Sequence, residues 1–186
     1  MKNTTYHIKF DAKPEHDRNI AGFIAIINDI IEGTRQPGKG YSVDSPFDVK
    51  SYVHFGTEIP DSFLADIGFS DTEQMVYFQL DAWMDPVHAI PTHFGGVPSS
   101  VSPGCITEMP WENSVSGYKL PLKIAAGATV STFSFDIAFT IQDNRDEHNP
   151  KTYYCIIDPQ MRINNPHMLE KKETTANKEF VRKNEN

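Results

Sequence analysis

The chain has 186 residues, a formal net charge of −8 and a pI near 5.3. Phosphate recognition needs a concentrated basic surface, so this balance argues against a nucleic-acid partner. A hydrophobic content of 39% and an aromatic content of 11% suit one globular domain that buries its core without staples.

Thr5 to Phe10 alternates, with Tyr6, Ile8 and Phe10 on one side, and predicts a strand at a sheet edge. Asp11 to Asn19 is polar and turn-rich. Ile20 to Ile31 fits two templates: Phe23 to Ile27 reads as a buried strand, while Ile20, Phe23, Ile24, Ile27, Ile30 and Ile31 fall at helical spacing. Both stay open. The isoleucine content favours a buried strand followed by a turn of helix near Asn28 to Glu32. Gly33 to Pro46 is punctuated as a loop, and its Gly38-Lys39-Gly40 is too short to cradle a phosphate. Val49 to Phe55 reads as a strand and Asp61 to Asp66 as one helical turn.

Glu73 to Met84 is a clear strand, with Val76, Phe78, Leu80, Ala82 and Met84 in phase. Val87 to Asn113 follows as a long connection containing Pro91, Pro98, Pro103 and Pro110. Connections of that length in compact domains commonly carry function, so a binding surface is sought here first. Tyr118 to Ile124 alternates again, and Pro121 on the opposite phase suits an edge strand. The strongest signal is Thr129 to Ile141: Phe133, Phe135, Ile137, Phe139 and Ile141 share one face, and Ser134, Asp136 and Thr140 share the other. That polar face is expected to meet solvent or a partner subunit. Gln142 to Pro150 is a charged turn, and Lys151 to Ile157 is a strand that Asp158-Pro159 interrupts before Met161 and Ile163. Pro166 to Asn186 reads as a frayed helix or a disordered tail. The expected architecture is mainly all-β: a single antiparallel β-sandwich over residues 1–165, jelly-roll-like, with little helix.

No cluster declares an activity. Asp143 to His148 lacks the spacing and glycine of a calcium loop and reads as a solvated hairpin turn. His88 and His93 lack the further ligands that a zinc site needs, and Cys105 has no catalytic flank. No cofactor, metal or catalytic residue is assigned. Cys105 and Cys155 are expected as free thiols. Trp83, Asp81, Trp111, Tyr118 and Asp136 are the candidate ligand or interface residues. With Tyr77, the aromatic members offer faces on which a sugar ring could stack; core packing is the competing reading. No apolar run approaches the ~18 residues of a membrane span. Met1 to Phe10 holds no apolar segment of the signal-peptide kind, so the expected compartment is the cytoplasm.

From Gly117 to Asn164 the order is specific: an aromatic-led strand, the small turn Ala126-Gly127, the strand Thr129 to Ile141, then Tyr153-Tyr154 running into Asp158-Pro159 and Ile163. This resembles the C-terminal end of the bacterial inclusion-body proteins of the AidA and PixA-like type. Phe23 to Ile31, followed by a loop rich in Pro, Gly and Asn, resembles that family's first strand. Ile157 stands where an aromatic is common, and Thr5 to Phe10 adds a strand. The resemblance implies a non-enzymatic cytoplasmic protein that self-associates as a homo-oligomer, in some members as inclusions, often in host-associated bacteria. A glycan or host-derived molecule is the alternative partner; neither nucleic acid nor membrane is expected.

Overall fold

The computed structural model describes residues 2–10, 19–56, 64–81, 83–84, 86–95, 104–115 and 117–164. The expected tail, residues 166–186, lies outside them. The first sheet runs in the order β3 (His54–Gly56), β1 (Lys2–Lys9), β5 (Gln74–Asp81), β10 (Gly117–Ile124) and β8 (Ile106–Glu108), with β9 (Glu112–Asn113) also on β10. The second is β11 (Val130–Ser134), β14 (Gln160–Asn164) and β4 (Leu64–Gly68). The third is β2 (Phe47–Asp48), β13 (Lys151–Ile157), β12 (Asp136–Asp143), β7 (Val87–Gly95) and β6 (Trp83–Met84).

The mainly-β expectation holds, but the pairing is mixed rather than antiparallel. β1 lies parallel to β5, β2 to β13 and β4 to β14. Parallel neighbours need long crossovers, and the stretch between β1 and β5 supplies one that carries a helix. β1 is therefore an interior strand, not the expected edge.

That helix, α1 (Asn19–Glu32), replaces the strand favoured over residues 20–31. Phe23, Ile26, Ile27 and Ile30 recur at helical spacing and are all at most 1% exposed, so burial of one helix face overrides the β preference of isoleucine. The Phe23 ring packs on Phe10 at 4.6 Å, and Phe10 reaches Phe139 of β12 at 5.3 Å. Gly22 permits this seat: a Cβ there would stand 2.6 Å from the carbonyl oxygen of Phe10.

The expected strand Thr129 to Ile141 is two strands. Phe135 separates β11 from β12, and its N–H donates to the carbonyl of Pro159 at 3.0 Å. Asp158-Pro159 makes the matching break between β13 and β14. One long hairpin is thus bent in the middle, its two halves feeding different sheets. The inward phase survives the bend: Phe133, Phe135, Ile137, Phe139 and Ile141 are all buried. Phe135 meets Phe78 of β5 and Phe94 of β7 at 5.1 and 5.3 Å, which locks the first and third sheets together.

Further differences are local. Val49 to Phe55 is a 3-10 turn over Lys50–Tyr52 and then the short β3. Of the helical turn expected over residues 61–66, residues 61–63 lie outside the described residues and residues 64–66 begin β4. Pro121 sits inside β10, not at an edge. Its carbonyl accepts from Met109 N, away from β5, so its missing N–H faces the gap between β8 and β9 and costs no bond to β5.

Candidate functional site

The connection Val87–Asn113 is not one loop. Its first nine residues are β7, a strand inside the third sheet. Pro91 fits there because the ladder to β12 shifts register between Ala138 and Phe139, leaving Thr92 as an extra residue, and because β6 pairs only with the start of β7. β8 and β9 then pass along the edge of β10.

His93, Glu108 and Trp111 all belong to this stretch. Trp111 lies between β8 and β9, half-buried against the core, and its buried Nε1 has no hydrogen-bond partner among the described residues. Loss of water pushes the Glu108 carboxyl up, and the nearby His93 partly offsets that. An indole donor and a partly desolvated carboxylate can receive a polar group, but they supply no nucleophile and base in mutual reach. Burial pushes the Cys155 thiol up, away from the reactive thiolate, and both cysteines are free. Among the described residues no three His, Cys, Asp or Glu side chains converge as metal ligands.

The other candidate residues are dispersed. Asp81 ends β5 opposite Gly117, and Trp83 in β6 pairs with His88 of β7; the side chains of Asp81 and Trp83 lie outside the described residues. Tyr118 stands opposite Leu80 on the inward phase of the first sheet. Asp136 opens β12 opposite Gly95, on the outward phase of the third sheet. Tyr77 lies on the outward face of the first sheet, where the Lys119 ammonium sits 3.8 Å from its ring centroid. Tyr77 and Tyr118 therefore occupy opposite faces, and the aromatic residues do not form one platform.

At the hairpin tip a concavity of about 310 Å³ is lined by Asp143, Arg145, Asp146, Asn149 and Lys151. The Arg145 guanidinium donates to both oxygens of Asp143 at 2.8 and 2.7 Å and holds this buried carboxyl below its ordinary range. These bonds tie Asp143 to Arg145 within the turn.

Sequence reasoning missed two arrangements. One is a clamp at the end of α1, where Tyr52 donates to Asp29 and Arg35 pairs with Asp29 at 3.4 Å. The other is the continuation of the Asp136–Thr140 face across β13 and β7, where the central strands carry no charged side chain between Asp136 and the hairpin tip. Only strand register reveals which residues share that face.

Among the described residues the arrangement defines a mixed-sheet β protein backed by one α-helix. No family model matches the sequence, and no curated protein matches it. The fold is similar to the crystal structure of an inclusion body protein (PixA) from Burkholderia cenocepacia J2315, with a TM-score of 0.51 at 9% identity, covering 88% of this chain and 95% of that one. Among the described residues no helix is long and apolar enough to cross a membrane.

Proposed function

We propose that the protein is a non-enzymatic building block that associates with copies of itself, up to ordered intracellular inclusions. The observation that carries this reading is the fold likeness to an inclusion body protein over most of both chains. The absence of an assembled nucleophile, base or metal site among the described residues is compatible with it.

Sedimentation of the purified protein over a hundredfold range of concentration tests the proposal. The weight-average mass is expected to rise with concentration, and electron microscopy of producing cells is expected to show dense protein bodies. A strict monomer together with cells free of such bodies would remove it.

The alternative, a glycan-binding module, rests on Trp111, whose buried Nε1 has no hydrogen-bond partner among the described residues. A glycan array tests it. A blank array with the wild-type protein rejects that reading and leaves self-association standing.

A further inference from the structure

Two acidic copies of one chain meet most readily where few of their charges oppose each other. The third sheet offers such a place. Its inward face is covered by the first sheet through Phe135 and, by way of Phe10, by α1. Its outward face runs from buried Thr140 through half-buried Ile90, Ala138, Tyr154 and Ile156 to exposed His93 and Asp48. Two adjacent rows cross it: Ile90–Thr140–Tyr154, and His93–Ala138–Ile156–Asp48. The first row is uncharged and the second has its only carboxylate at one end. The outward face of the first sheet, by contrast, carries Lys119, Lys123 and Glu73.

The rows are also self-complementary. β13 presents large residues outward, Tyr154 and Ile156. Its neighbour β12 presents small ones, Ala138 and Thr140. A two-fold axis running along the strands between β12 and β13 stacks each β13 on the β12 of a second copy. Tyr154 then faces Thr140, Ile156 faces Ala138, and Asp48 at one margin faces His93 at the other; one row further Asp136 faces Asp158, whose charge Lys50 at 3.7 Å partly offsets. Large against small is how sheets interdigitate at about 10 Å, and an isologous contact of this kind pairs residue i with j and j with i.

We infer that the outward face of the third sheet is the contact through which a second copy of this chain docks. This rests on the self-association reading and assigns it a surface. Three strands about 4.8 Å apart and roughly 20 Å long, with the two-residue β2 at their margin, bury on the order of 300 Å² per copy. That is below the roughly 800 Å² per partner of a stable dimer, so the contact is weak and fills only at high concentration.

The test is sedimentation of wild type and variants, with cooperative melting as the check of folding. Ile156→Lys is expected to weaken association at least tenfold. Met75→Lys, the same charge change on the first sheet, is expected to leave it unchanged. Asp48→Lys and His93→Glu are each expected to weaken it, and the double variant to recover to within about threefold of wild type. Should Ile156→Lys fail to fold, the exchange of Asp48 and His93 at the margins decides. If wild type associates while Ile156→Lys matches Met75→Lys, or the double variant is no better than the singles, this surface is wrong and self-association survives through another. If wild type stays monomeric throughout, both inferences fall.

Discussion

The Tyr52 hydroxyl donates to Asp29 Oδ2, and the Arg35 guanidinium lies 5.6 Å from the same ring. Burial first, and the bond to Asp29 second, push this phenol up to about 12, with Arg35 opposing. Tyr6 reaches about 12 as well, through burial and then the charge of Asp66, while its hydroxyl donates to the Asp66 carbonyl at 2.8 Å. Both phenols bind their proton more tightly folded than unfolded. Their contribution is therefore complete below the ordinary phenol value near 10 and is lost as pH climbs toward 12. Tyr52→Phe is expected to cost about 1–2 kcal/mol at pH 8, since it removes a buried donor from a carboxylate. Combined with Tyr6→Phe it should flatten the fall in stability between about pH 10 and 12. Urea melts at intervals of half a pH unit measure both effects, and an unchanged alkaline limb would contradict them. Asp143 acts with the opposite sign. Its carboxyl is held down chiefly by the hydrogen bonds from Arg145, so its contribution is present above the ordinary aspartate value near 4 and disappears as pH falls through the lowered one. Asp143→Asn is accordingly expected to flatten the acid limb of the same melts.

Helix α1 carries a prediction in which two effects compete. Replacing a mid-helix glycine by alanine ordinarily stabilises by about 1 kcal/mol. At Gly22 the new Cβ would lie 2.6 Å from the backbone oxygen of Phe10 and 3.1 Å from its Cβ. Backbone cannot swing aside, and overpacking costs about 1–3 kcal/mol. Gly22→Ala is therefore expected to lower the melting temperature; a rise would mean that α1 does not seat on Phe10. The sequence made the packing residues of this helix visible without making the helix so. Phe23, Ile27 and Ile30 fall at three- and four-residue spacing, but six isoleucines in the span pull toward strand until a buried face decides. The bent hairpin was legible for the opposite reason. A one-residue break at Phe135 leaves the period of two unbroken, so the inward residues could be named while the bend could not. β7 stayed hidden because Pro91 looks like a strand breaker, and only its bulge admits it. The candidate residues were the least legible part. Whether Tyr77 and Tyr118 share a face depends on which strands flank them, and a strand's own sequence does not contain that.

At the scale of the molecule, charge and contact area pull against each other. A domain of this length has a radius near 20 Å, so two docked copies lie roughly 40 Å apart between centres. Two net charges of −8 at that distance repel by about 6–7 kcal/mol in water before screening. A marginal pair such as Asp48 facing His93 returns at most about 1 kcal/mol. Repulsion of the whole therefore outweighs attraction at the margin, and salt decides how much of it survives. The screening length is about 30 Å at 0.01 M and 8 Å at 0.15 M, so most of the repulsion disappears over that range while an uncharged face loses nothing. Association is expected to strengthen at least tenfold between 0.01 M and 0.15 M salt, and to respond little to a further increase. Sedimentation at fixed protein concentration along that series measures it. Association that weakened steadily with salt would mean that opposite charges hold the copies together, and a neutral sheet face could not then be the contact.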